Sequence, residues 1–268
     1  MTMDESKLRL PLGSLGRNLV QGLPYSRPQT PGQPTQVQVG WIGLGAMGYL
    51  IARNLANYRA DNLDDQPPLL VWNRSKDKSE KLQHELGERK VAIAQSVVDL
   101  AKASDIILVS LSGDEAVKSV YTDIAAALQA QPPTNRKIFV ETSTVSLDLT
   151  SLTSSSESLT HEITRYIPVW QARHNYILKS YCADAAFAFR CVGEIDTLIS
   201  ALPHCHLVSS PVFGPPAMAD KATLIIALSG DYRSKKEVAY ILVPAIGRRV
   251  LDLGGNVEKG DNASCKII

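Results

Sequence analysis

The stretch VGWIGLGAMGYLIARNL, Val39 to Leu55, sets three glycines within six positions, where an apolar run gives way to apolar residues four apart, Met47, Ile51 and Leu55. A short apolar run reads as a buried strand, and the four-residue recurrence reads as one side of a helix. In Gly43-Leu44-Gly45-Ala46-Met47-Gly48 the first glycine permits a tight turn, the second lets a pyrophosphate approach the backbone, and the third lets helix and strand pack closely. The first helical turn then offers unpaired N–H groups and the positive end of its dipole to phosphate. These six residues are the candidate dinucleotide site.

Downstream, short β-rich runs alternate with helix-patterned stretches, as βαβ units around a parallel sheet require. LLVWNR from Leu69 is the second strand, with Ser75 placed to cap a helix through KDKSEKLQHEL. KVAIA from Lys90 is a third strand, and Ser96 with Asp99 resembles a capping box before VVDLAKA. DIILVSL from Asp105 is the fourth strand, Asp114 opens a helix, and KIFVETST from Lys137 is the fifth strand. The pattern predicts a doubly wound α/β fold, Rossmann-like, with a mostly parallel sheet. The end of the second strand selects the nucleotide: an acid there accepts from the ribose 2′-OH of NAD, and an arginine accommodates the 2′-phosphate of NADP. Asn73, Arg74 and Ser75 stand there with Lys76 and Lys78 close by. NADP is expected, with NAD as the alternative.

The 268 residues carry 28 Lys plus Arg against 27 Asp plus Glu, so no net field draws the chain to nucleic acid or an anionic membrane. No apolar run approaches the roughly 18 residues of a membrane span. Cys182, Cys191, Cys205 and Cys265 form no C-x-x-C pair, which argues against a disulfide framework or zinc. His204 and His206 would share a face of a strand, but two histidines without a third ligand make no metal site. The Pro/Gly/Gln-rich LPYSRPQTPGQPTQ ends a leader, residues 1–36, expected to be flexible. Asp4 and Glu5 argue for a cytoplasmic protein, while Arg9 and Arg17 keep a mitochondrial leader as the alternative.

Six motifs occur together and in order: GWIGLGAMG, VWNRS, DIILVSLSGDEAV, VETSTVS, SPVFGPPAMADKATLIIALSGD and GNVEKGDNASCK. Residues 37–268 thereby resemble the β-hydroxyacid dehydrogenases, the 3-hydroxyisobutyrate dehydrogenase family, whose nucleotide domain is shared with 6-phosphogluconate dehydrogenase. The resemblance implies that Leu111 and Ser112 contact the cofactor, although the family often has proline where Ser112 stands. Its D-x-S-T segment corresponds to Glu141-Thr142-Ser143-Thr144, which implies that Ser143 touches substrate and Thr144 the cofactor; both hydroxyls would otherwise read as caps of a following helix. The family's catalytic lysine corresponds to Lys266, which would take or return a proton at the substrate oxygen. Gly214 falls in its substrate loop.

The sequence departs from that family at three places. Its A-P-V-S-G-G loop reads Ser210-Pro211-Val212-Phe213-Gly214-Pro215 here, so Phe213 adds bulk and Pro215 removes a backbone donor. Residues 165–192, RYIPVWQARHNYILKSYCADAAFAFRCV, form an insertion without period 2 or 3.6, read either as translated intron or as a surface excursion. The family continues past the lysine through an asparagine into an all-helical domain that builds its dimer, and this sequence ends at Ile268. The expected activity is hydride transfer between NADP and a small 3-hydroxy acid or related aldehyde, with a homodimer only where the helical domain is present. The alternatives are a non-catalytic NADP-binding module, including a truncated pseudoenzyme, and an imine or aldehyde reductase with a more apolar pocket.

Overall fold

A computed structural model describes Tyr25 and residues 36–63, 65–143 and 193–255. Lys266, Thr144, the insertion at 165–192 and most of the leader lie outside the described residues. In chain order the elements are β1 (Val39–Ile42), α1 (Ala46–Asn62), β2 (Leu69–Trp72), α2 (Lys76–Leu86), β3 (Val91–Ile93), α3 (Val97–Ala103), β4 (Ile106–Val109), α4 (Asp114–Ala130) and β5 (Lys137–Glu141). After helical residues 193–200, α5, come β6 (Cys205–Ser209), β7 (Val212–Phe213), α6 (Pro216–Asp220), β8 (Leu224–Gly230), α7 (Tyr232–Ile246) and β9 (Gly247–Asp252).

The strands run in the order 3-2-1-4-5-6, all parallel, as the alternating pattern predicts. The chain reverses direction across the sheet between β1 and β4, and ligands of doubly wound sheets bind outside the carboxyl ends of the strands at that switch point. Both faces are covered, so the strands read as continuous apolar runs. Val39, Trp41, Leu108 and Val140 pack with Ile51 and Leu55 of α1 and Leu242 of α7. Ile42, Ile107, Val109 and Phe139 pack on the other face with Leu100 of α3, Tyr121 of α4 and Ile199 of α5.

Beyond β6 the sheet changes character. β8 pairs antiparallel with β6 and with β7, and β9 runs parallel to β8. α7 covers this extension, and its N-cap Asp231 accepts from the amides of Arg233 (2.9 Å) and Ser234 (3.2 Å). Removing such a cap typically costs about 1–2 kcal/mol. Asp231→Ala should lower the unfolding free energy by that amount, read as a lower urea midpoint with the slope unchanged; a midpoint within error of the parent would show that the cap contributes nothing.

Three local expectations are corrected. Ser75 occupies the N-cap of α2, but its hydroxyl makes no capping bond, whereas Ser96 does accept from the Asp99 amide at 3.0 Å. His204 has φ 60° and sits in the turn before β6, so it does not share a strand face with His206. Tyr25, inside the segment expected to be flexible, is 5% exposed. Its hydroxyl donates to Asp252 (2.7 Å), its carbonyl accepts from Tyr240 (3.0 Å), and its ring meets the edge of Tyr232. An aromatic body with a polar tip suits this partly polar seat. No helix among the described residues is long and apolar enough to cross a membrane.

Candidate cofactor site

The chain leaves β1 through Gly43, whose φ of 97° is left-handed and favours glycine. A Cβ there would lie 2.1 Å from the Ser110 carbonyl oxygen, so the loops after β1 and β4 touch backbone to backbone. A Cβ on Gly48 would lie 2.3 Å from the Gly43 oxygen, which is the close helix-to-strand approach expected of the third glycine. Gly45 differs: an added Cβ would meet nothing within 4 Å, and both Gly45 and Ala46 are exposed. Gly45 is the N-cap of α1, no side chain caps that helix, and its first turn holds no acidic residue. The first N–H groups of a helix lack intrahelical partners, so those of Ala46 and Met47 face an open, electropositive mouth. That combination fits a dinucleotide pyrophosphate.

Other residues brace the mouth. Leu44 is buried and its amide donates to Asn73 Oδ1 at 2.8 Å, while Asn73 Nδ2 donates to the Ser75 carbonyl at 2.9 Å. The Gly43 amide donates to Trp72 O, and Trp41 Nε1 donates to Gly43 O at 2.8 Å. Asn73 thus ties the glycine loop to the turn after β2, where Arg74 is exposed and makes no ion pair among the described residues. Met47 is half-buried on the inner side of α1, and Ser112 is exposed in the loop after β4.

At the carboxyl end of β5 lies a buried polar group, the first residue of the Glu141-Thr142-Ser143-Thr144 segment, to which the sequence reading gave no role. Glu141 is 4% exposed, and its Oε1 accepts from the Ser143 amide at 2.7 Å. Ser143 Oγ accepts from the Leu111 amide at 2.8 Å, joining β5 to the loop after β4. Burial pushes the Glu141 carboxyl up to about 7, against the hydrogen bonds from the Ser143 hydroxyl and amide and from Tyr121, which favour the charged form. Ser143 itself is 6% exposed. A glutamate at a strand end carries no local signal of burial, which explains why pattern reading passed over it.

The loop from Ser210 to Pro215 is held near α1 through α6. Asn54 Nδ2 donates to the Ala219 carbonyl at 2.7 Å, and Arg53 pairs with Asp220 at 2.6 Å. Gly214, φ 143°, packs against Leu224 and Met218 rather than toward open space. The structure therefore brings together the glycine loop, Asn73, Leu111 and Ser143, with Gly214 on the adjoining antiparallel extension.

Residues 38–164 match the sequence profile of the NAD binding domain of 6-phosphogluconate dehydrogenase. No curated protein matches the chain in sequence. Among solved structures, the fold is similar to Mycobacterium tuberculosis 3-hydroxyisobutyrate dehydrogenase with L-serine, at TM-score 0.57 and 16% identity, over 83% of this chain and 56% of that one. It is also similar to an imine reductase from Pseudomonas sp., at TM-score 0.55 and 16% identity, over 83% and 57%. A reductive aminase from Aspergillus terreus in complex with NADPH and ethyl-5-oxohexanoate gives TM-score 0.53 and 16% identity over 85% and 58%. The chain spans less than two thirds of the length of each of these proteins. The strand order and the glycine-loop geometry are those of a Rossmann-like fold, and over residues 38–164 the sequence is similar to the NAD binding domain of 6-phosphogluconate dehydrogenase.

Proposed function

We propose that the chain binds NADP and belongs to an oxidoreductase that moves a hydride between the nicotinamide and a small 3-hydroxy acid or related carbonyl compound. The observation that carries this reading is the open mouth at Gly45, with Asn73 fastening the turn that bears Arg74 to the same loop. Gly43 to Gly48 hold the pyrophosphate, Arg74 the 2′-phosphate, and Leu111 and Ser112 border the nucleotide. When bound, the nicotinamide supplies or accepts the hydride. By resemblance, Lys266 holds the proton at the substrate oxygen, Thr144 borders the cofactor, and Ser143 and Gly214 border the substrate. The solved proteins of similar fold, one with L-serine and one with NADPH and a keto ester, support this class of chemistry.

A specific feature favours a less polar substrate. Phe213 pairs with Ile225 of β8, and Gly214 rests on Leu224 and Met218. Phe213 stands where the family's loop has serine, and bulk without a hydroxyl suits a carbonyl or imine with an apolar substituent better than a carboxylate, as in the imine reductase reading.

Calorimetry with NADPH and NADH on the parent chain and Arg74→Ala tests the cofactor assignment. A charge-assisted contact is worth about 1.5–3 kcal/mol, so NADPH affinity should fall about tenfold to a hundredfold, with NADH affinity unchanged. Equal losses for both nucleotides would overturn the role of Arg74. NADP reduction against 3-hydroxy acids, and NADPH oxidation against small aldehydes and cyclic imines, then separate turnover from a binding module.

A further inference from the structure

We propose that Glu141 is a proton-binding positioning residue whose charge state sets the direction of the Ser143 hydroxyl and, through it, the position of the cofactor-side loop at Leu111. The connection is continuous in the structure. Glu141 Oε1 accepts from the Ser143 amide at 2.7 Å, and Ser143 Oγ accepts from the Leu111 amide at 2.8 Å. The loop beginning at Ser110 is in turn pressed on the glycine loop, with the Ser110 oxygen and Leu111 Cδ2 both inside the volume that a Cβ on Gly43 would need. A displacement of Leu111 is therefore felt at the backbone of the pyrophosphate site.

The Ser143 hydroxyl is the pivot because it has one proton and must choose an acceptor. With Glu141 ionised, that proton goes to the carboxylate and the Ser143 lone pairs are left to the Leu111 N–H. With Glu141 protonated, the carboxyl attracts that proton less, the hydroxyl turns about its Cβ–Oγ bond, and the lone pair presented to the Leu111 N–H turns with it, weakening that bond. Val109 and Ser209 flank Glu141 in register from β4 and β6, Phe139 precedes it on its own face, and Tyr121 faces it from α4. Among these groups Tyr121 is the other titratable one, and Glu141 makes no ion pair among the described residues. Glu141 Oε2 makes no close hydrogen bond there, so the charged form relies on Ser143 and Tyr121 for its stabilisation. Its pKa, raised to about 7 by burial, places the change in the neutral range.

The nucleotide arm of the test rests on the NADP reading, whereas the relay can be read without nucleotide. The first measurement follows the amide ¹H and ¹⁵N shifts of Ser143 and Leu111 in the free chain from acid to alkaline pH. The two amides should titrate together with one midpoint near 7 in the parent, and the titration should be absent in Glu141→Gln. A flat pH profile in the parent, or the same titration persisting in E141Q, would overturn the proposal; the parent profile alone decides it should E141Q fail to fold. The second measurement compares NADPH affinity at alkaline and acid pH. The parent should lose about threefold to tenfold more affinity than E141Q on acidification, since the substitution fixes the hydroxyl against pH. Coupled amide titration with no NADPH binding at any pH would keep the relay and reject the cofactor reading. NADPH binding with silent amides would do the reverse.

Discussion

Gly43→Ala is expected to destabilise the fold by about 4 kcal/mol and to abolish nucleotide binding. Two costs combine. An alanine at φ 97° enters backbone space that costs a non-glycine residue about 1–3 kcal/mol. Its methyl would also lie 2.1 Å from the Ser110 oxygen, a backbone atom in a packed loop, and forced overpacking typically costs about 1–3 kcal/mol more. Relief requires the loops after β1 and β4 to separate, which destroys the mouth. Gly45→Ala is the control: φ is −68° and a Cβ meets nothing within 4 Å, so stability should hold within about 0.5 kcal/mol. Its NADPH affinity should nevertheless fall at least about tenfold, because the methyl occupies the space through which a pyrophosphate reaches the backbone. Urea denaturation and calorimetry on the two variants check both halves. Unchanged NADPH affinity in G45A would remove the phosphate site from this loop.

The second large effect is the pH dependence of stability that Glu141 imposes. Its carboxyl has an ordinary value of 4.5 and stands at about 7 in the fold, chiefly through burial. The folded chain therefore holds a proton that the unfolded chain has released between those values, and stability falls as pH rises through that window. Below 4.5 both states are protonated and nothing is lost; above about 7 the full cost is present. At about 1.4 kcal/mol per pH unit, the interval corresponds to about 3 kcal/mol. Relative to the parent, Glu141→Gln should gain that amount between pH 4.5 and pH 8. The remaining titrating groups act equally in both chains and cancel in the difference. Parallel stability curves for the two proteins across that range would show that the carboxyl is not held uncharged by its surroundings.

The parts of the site that were legible in advance are those whose signals are local. Gly43, Gly45 and Gly48 announce a turn and a close approach by their spacing, and the turn forms as expected. Ser96 announces its cap, and Met47, Ile51 and Leu55 announce the inner side of α1. Each depends on residues within a few positions of one another. Ser75 shows the margin of error: the residue type suits an N-cap, but its hydroxyl makes no capping bond, and the Lys78 amide donates to its backbone carbonyl instead.

Other features depend on distant partners. β7 is two residues long and exists through its pairing with β8 at Val212↔Ile226 and Phe213↔Ile225. Tyr25 is buried because Asp252, Tyr240 and Tyr232 converge on it from more than 200 positions away.

What the sequence by itself determined is the alternating strand and helix order through β5, the phosphate-facing turn and the candidate choice of NADP by Arg74. Backbone sterics, helical periodicity and charge act over short range, so they can be read along the chain. Only the tertiary structure decided that Asn73 is the tie between two loops and that Glu141 sits in the interior with Ser143 and Leu111 on it. Burial is the sum of neighbours contributed by β4, β6 and α4, and desolvation acts on that sum rather than on the identity of the residue.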